Sequence, residues 1–122
     1  MDEKDNSLIK INIILKALKN KKGKKITVLD LTKLENSICE YLIIAQGNIP
    51  NQVLALCDSV WNLVYSCLQE RPLGAVGMKE AKWIVTDYGT IMLHLFIPEF
   101  RVYYDLENLW ANANIIEIPD ML

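Results

Sequence analysis

The sequence predicts a single α/β domain, a β-sheet flanked by helices, on three observations. The first is size. A chain of 122 residues, 52% hydrophobic and 23% charged, fills one compact domain and buries roughly two-thirds of the surface its unfolded form exposes. That excludes disorder and leaves no room for two catalytic domains. The second is the stretch 41–45, Tyr-Leu-Ile-Ile-Ala, apolar without a break, as in a central strand covered on both faces. The third is residues 53–68, where Val53, Leu56, Cys57, Val60, Leu63, Val64, Cys67 and Leu68 keep the three-and-four spacing of an amphipathic helix.

In chain order, Ser7 or Asn6 is placed to cap a first helix carrying Leu8, Ile11, Ile14 or Leu15, and Leu18 on one face, with Gly23 as its stop. Residues 26–31 are rich in β-branched side chains and predict a strand; residues 41–45 predict the next. Gly47, Asn48, Ile49 and Pro50 then supply a turn, an Asn cap and a proline at the first helical position, where its missing N–H costs nothing. Pro72, Gly74 and Gly77 predict a loop over residues 71–77. Residues 82–87 and 91–96, joined by Tyr88, Gly89 and Thr90, predict an antiparallel hairpin. Pro98 and Glu99 open a short helix containing Arg101, Tyr104 and Glu107, and residues 115–118 read as a last strand stopped by Pro119.

The formal charge of −2 hides an asymmetry: residues 1–25 hold eight Lys and three acids, net +5, whereas residues 26–122 are net −7. Lys16, Lys19, Lys21, Lys22, Lys24 and Lys25 suit a solvated face, with RNA phosphate or a lipid surface as alternatives. A short helix without Trp or Phe is a poor membrane binder. Unbroken apolar runs such as 41–45 fall far short of the roughly 20 residues that cross a bilayer. The acidic start, Met1 to Asp5, lacks the pattern of a secretion signal or an organelle presequence, so the expected location is the cytoplasm.

Chemistry-bearing groups are few. Cys39, Cys57 and Cys67 are odd in number and form no C-x-x-C pair, so they read as reduced filler, with Cys57 and Cys67 on the apolar side of the long helix. His94, the single histidine, lies inside an apolar strand and reads as a buried, hydrogen-bonded residue. Neither glycine-rich phosphate-binding motif is present, and Asp105 and Glu107, two apart on a predicted helix, point different ways. No metal and no cofactor are expected. What stands out is aromatic and polar crowding between Trp83 and Trp110, including Asp87, Tyr88, Phe96, Phe100, Arg101, Tyr103, Tyr104 and Glu107. Trp, Tyr and Arg dominate the energetics of protein interfaces, and an acidic body steers basic partners toward itself.

The motif Trp83-Ile84-Val85-x-Asp87-Tyr88-Gly89-x-Ile91-x-x-His94-x-Phe96, followed by Arg101-x-Tyr103-Tyr104-x-Leu106-Glu107-x-Leu109-Trp110, resembles the Iojap-related ribosomal silencing factor family. The resemblance reaches upstream through Val28-Leu29-Asp30, residues 41–47 and Pro72-Leu73-Gly74, and covers about residues 8–112. It implies an α/β domain with a mixed sheet and nucleotidyltransferase-like topology without catalytic residues. On this reading the organisation is a Lys-rich N-terminal helix over 1–25, a silencing-factor core over 26–112 and a tail over 113–122. The resemblance also implies binding to protein L-fourteen of the large ribosomal subunit, a block to small-subunit joining when nutrients are scarce, and a homodimer off the ribosome.

Carried over by motif, the partner-facing candidates are Trp83, Asp87, Tyr88, Arg101, Tyr104 and Glu107. Three positions depart from the family pattern: Val76 before Gly77, Glu40 before Tyr41 and Thr90 after Gly89. The runner-up function is a nucleotidyltransferase-like enzyme using Asp30 and Asp87, which rests on fold analogy alone. A further expectation is a peripheral ribosomal RNA contact by the Lys-rich segment, which would be strongly salt-dependent.

Overall fold

The computed structural model describes residues 3–35 and 37–120; Met1 and Asp2, the first residues of the acidic start, lie outside it. Its elements are α1 (Glu3–Asn20), β1 (Lys24–Asp30), β2 (Tyr41–Gln46), α2 (Pro50–Leu68), β3 (Gly74–Val76), β4 (Trp83–Asp87), β5 (Ile91–Phe96), α3 (Pro98–Tyr104), α4 (Leu106–Leu109) and β6 (Asn114–Glu117). The strands form one six-stranded sheet in the order β3-β4-β5-β2-β1-β6. Only β2 and β5 run parallel; every other neighbouring pair is antiparallel. The α/β class and the mixed sheet are therefore as predicted.

The unbroken apolar run over β2 occupies the position it calls for. β2 lies between β5 and β1, with all six residues buried. Ile43 and Ala45 face one cluster with Ile14, Leu18, Val53, Leu56 and Val60 of α1 and α2. Leu42 and Ile44 face the other with Leu29, Leu31, Phe96 and, at its margin, Phe100, Leu106 and Trp110. Two long helices thus cover one face of the sheet, and α3, α4 and the β1–β2 loop cover only part of the other.

Several local expectations change. α1 begins at Glu3, a turn earlier than expected, so Ser7 is no cap. It is an interior helical residue, 3% exposed, while Leu8 turns outward at 43%. The buried stripe runs Ser7, Ile11, Ile14, Leu18, and the Ser7 hydroxyl reaches Thr90 Oγ1 (3.1 Å) and Glu40 Oε2 (3.4 Å). The Thr90 carbonyl accepts from the N–H groups of Glu40 and Tyr41. Two of the three departures from the family pattern therefore meet at one small polar junction that anchors α1 to the sheet.

At the end of α1 the left-handed residue is Lys22 (φ 60°) rather than Gly23. Gly23 is needed for space, since a Cβ there would lie 3.1 Å from Leu56 Cδ2 and 3.2 Å from the Leu18 carbonyl oxygen. α2 starts from Ile49, not Asn48, as N-cap, with Pro50 in the first turn as expected. Instead of capping with its side chain, Asn48 donates its N–H to Gln52 Oε1 (2.8 Å). Cys57 is buried but Cys67 is exposed, against expectation. The predicted loop over 71–77 contains β3, an edge strand whose three residues pair with β4. The hairpin is as predicted, with Trp83 opposite Phe96 and Asp87 opposite Met92. β6 adds to the sheet beside β1, with Ile116 opposite Val28.

Candidate functional site

Alternation along β4 sends Ile84 and Thr86 inward, where Thr86 Oγ1 accepts from Trp61 Nε1 of α2 (3.2 Å). Trp83, Val85 and Asp87 are sent to the opposite, incompletely covered face, where all three stay half-buried. Pairing aligns Trp83 with Phe96 and Val85 with His94 and Val76, so one row of side chains crosses β3, β4 and β5.

Trp83 is the hub. Its ring lies 4.5 Å from that of Tyr104 and 5.1 Å from that of Phe96 between centroids, and Tyr104 in turn meets Tyr103 edge-on at 5.0 Å. Tyr104 is 44% exposed and Tyr103 81%. Together with Val76, at the sheet edge, these side chains leave an apolar and aromatic surface uncovered on one side of the molecule. Beside Trp83 is a hollow of about 380 Å³ walled by Phe100 and rimmed by Lys79, Glu80 and Lys82. The charges at this rim are mixed, so the acidity of the body lies elsewhere.

His94 completes the arrangement from beneath. Its Nδ1 accepts the Trp83 Nε1–H at 3.0 Å, which fixes the indole's orientation and requires the Nδ1 lone pair, and burial pushes its pKa down from 6.5 to about 4. The expectation of a buried, hydrogen-bonded histidine holds. At His94 the unfolded chain binds a proton at higher pH than the fold does. His94 therefore supports stability fully above pH 6.5, and that support is lost as pH falls toward 4. Urea denaturation is expected to show a loss of up to about 3 kcal/mol across this window, accompanied by a change in tryptophan fluorescence. A His94→Gln variant whose stability fell just as steeply would remove His94 as the cause.

The other candidates from the sequence separate by environment. Asp87 Oδ1 accepts the Gly89 N–H (2.7 Å) and closes the hairpin turn. Tyr88 points into the helical layer, 3% exposed; its hydroxyl has no partner among the described residues and its pKa is raised by burial. Arg101 is 8% exposed. Its Nη1 donates to the Lys25 carbonyl (2.6 Å) and Gln46 Oε1 (3.3 Å), and its Nη2 to Thr27 Oγ1 and Glu107 Oε2 (both 3.0 Å). Glu107 can reach it because the predicted single helix is broken at Asp105 (φ 46°), which makes α3 and α4 two pieces. Of the six candidates, then, Trp83 and Tyr104 form one surface, Asp87 shares its face of the sheet, Arg101 and Glu107 form a clamp behind it, and Tyr88 lies in the core. Tyr103 and Val76 extend the surface; the crowding of aromatics in the sequence pointed to the first of these, and nothing local pointed to the valine.

Asp30 and Asp87, the pair the enzymatic alternative needs, end β1 and β4 at the same edge of the sheet but three strand spacings apart. That is roughly 14 Å, against the short carboxylate separation that two-metal chemistry demands. Asp30 Oδ1 is also engaged by the Thr32 N–H at 2.9 Å. No three His, Cys, Asp or Glu side chains among the described residues converge as a metal site would require, and no helix described is long and apolar enough to cross a membrane.

Fold and surface define an α/β domain whose most developed feature is a partly exposed aromatic cluster around Trp83. Residues 4–122 match the family described as ribosomal silencing factor during starvation, and the chain belongs to that family. Among its relatives, ribosomal silencing factor RsfS of Chromobacterium violaceum is 35% identical over 99 residues, covering 81% of this chain and 80% of the relative. The Haemophilus influenzae protein of the same name is 32% identical over 103 residues, covering 83% and 97%. A crystal structure of a Chromobacterium violaceum protein superposes with a TM-score of 0.80 at 32% identity, covering 91% of this chain and 88% of that one. The family carries a role in ribosome-associated silencing.

Proposed function

We propose that the protein represses translation by occlusion: it binds the large ribosomal subunit through protein L-fourteen and blocks joining of the small subunit when nutrients are limiting. The observation that carries this reading, beside family membership, is the Trp83–Tyr104 ring contact with Tyr103 exposed next to it. Exposed aromatics held by rigid neighbours lose little entropy on docking and supply the anchor residues of interfaces. In this reading Trp83, Tyr104 and Asp87 belong to the contact face, while Arg101, Glu107 and Tyr88 hold the scaffold behind it. The protein acts without catalysis, in the cytoplasm, and is a homodimer when free. The exposed lysines after α1 add a peripheral contact to ribosomal RNA.

The intact protein should co-sediment with large subunits and lower the yield of complete ribosomes in a subunit-rejoining assay. Tyr104→Ala with Trp83→Ala should weaken that binding by at least about thirtyfold, the effect of losing roughly 2 kcal/mol at an anchor, while the purified variant stays folded by circular dichroism. Unchanged affinity in a folded double variant, or rejoining undisturbed by the intact protein, would refute the mechanism.

A further inference from the structure

On the far side of α3 from the aromatic surface, β1, β6, α3 and α4 enclose a cleft of about 710 Å³, within the size range of ligand-binding pockets. Its construction is unusual. Where the β1–β2 register shifts, Lys25 adopts φ 48°, and Asp105 at the α3–α4 break adopts φ 46°; non-glycine residues held this way are costly and persist where surrounding structure enforces them. Here the enforcing group is Arg101, bound to the Lys25 carbonyl and to Glu107.

The polar groups left over define what the cleft can take. Gln46 is 8% exposed, lines the floor, and accepts from Arg101 through Oε1. Its Nε2 makes no hydrogen bond to another described residue, which leaves the amide N–H groups available to an occupant. Asp105, Glu107, Glu117 and Asp120 line it against only Lys25 and Arg101. Of these acids, Glu107 is engaged by Arg101 and Asp120 by the Lys25 N–H; Asp105 and Glu117 make no side-chain hydrogen bond among the described residues. The walls between donors and acids are apolar: Ile26, Val102, Ile118 and Pro119. An occupant must offer an acceptor to Gln46, an aliphatic stem to the walls and a positive charge to the rim.

We propose that this cleft binds a lysine or arginine side chain presented by a peptide segment of a basic partner. A peptide carbonyl meets the Gln46 amide, the methylene stem lies along the apolar walls as long cationic side chains do, and the cation meets Asp105 and Glu117. No three His, Cys, Asp or Glu side chains among the described residues converge as a metal site requires, which favours an organic cation at this acidic rim. The site is independent of the Trp83 surface, so failure of one reading leaves the other standing.

The test is an ¹⁵N NMR titration of the full chain with acetyl-arginine-methylamide. A millimolar affinity, about −4 kcal/mol, is the scale expected for one such residue. Saturable shifts are expected at the Gln46 side-chain amide and at the backbone amides of Lys25 and Glu117, with Trp83 Nε1 unmoved. Asp105→Asn with Glu117→Gln, both at exposed positions, should weaken binding at least about fivefold through loss of charge. The proposal is overturned if no shifts occur, if acetyl-norleucine-methylamide or acetyl-glutamate-methylamide shifts the same resonances equally, or if spermidine binds as tightly as the arginine compound.

Discussion

Gly77→Ala is expected to destabilise the fold by about 3 to 5 kcal/mol, the sum of a left-handed backbone penalty and a steric insertion into packed structure. Gly77 sits at φ 89°, and a Cβ built there would lie 2.0 Å from the Trp83 carbonyl oxygen. That obstacle is backbone, so no rotamer change relieves it. The residue also starts the turn that ends with Ala81, whose N–H donates to the Gly77 carbonyl (2.9 Å). Moving Gly77 away from Trp83 displaces β3, which carries Val76, the turn that rims the adjacent hollow, or Trp83 itself, the first residue of β4. Thermal unfolding should therefore move down by about 10 °C or more, and ribosome co-sedimentation should weaken even at temperatures where the variant is folded. An unfolding temperature within about a degree of the parent would contradict the geometry.

Gly77 also illustrates which features were legible in the sequence. As a glycine in a Pro- and Gly-containing stretch it predicts a loop, and a loop is partly what forms. That its neighbours Gly74, Ala75 and Val76 pair with β4 was invisible, because a three-residue edge strand has too few positions to alternate and takes its structure from the partner. Elements that bury a whole stripe or both faces wrote themselves plainly into residue order: β2 through an unbroken apolar run, α2 through its spacing, the β4–β5 hairpin through its length and turn. Positions fixed by distant polar partners did not. Ser7 looks like a helix cap in isolation; only the arrival of Thr90 and Glu40, 83 and 33 residues away, makes it an interior residue. Cys67 keeps the spacing of its buried neighbours but lies in the final turn of α2, where the helix faces solvent.

The same limit governs the candidate site. The motif brought Trp83 and Tyr104 to notice, and these two are in contact at the surface. It brought Arg101 and Tyr88 to notice equally, although both are buried. Spacing within a motif records that a residue type is required and is silent on whether a partner molecule or the fold itself requires it.

Arg101 is where these two roles can be separated. Arg101→Met is expected to cost about 3 to 5 kcal/mol, the range for removing one member of a buried charged network. Methionine fills comparable length but leaves Gln46 Oε1 and Thr27 Oγ1 without the guanidinium donor each now has, and leaves the Lys25 carbonyl with only the Thr27 hydroxyl at 3.3 Å. Each such group loses about 1 kcal/mol or more if water cannot replace the guanidinium. Glu107 is the partner least affected, because its side chain is 32% exposed and stays hydrated. Glu107→Gln alone should accordingly cost only about 1 kcal/mol. Lysine is no substitute at position 101, since a single ammonium cannot present four donors in the fixed fork that spans β1, β2 and α4. If Arg101 were chiefly a ribosome contact, Arg101→Met would keep its urea midpoint and lose co-sedimentation. The clamp predicts the opposite order: a large fall in midpoint, with binding by the fraction still folded reduced far less than by Trp83→Ala with Tyr104→Ala. Because the clamp also holds Lys25 and the α3–α4 break in place, the same variant should abolish the response of the Gln46 side-chain amide to the arginine compound, which ties the stability of this corner to the shape of its cleft.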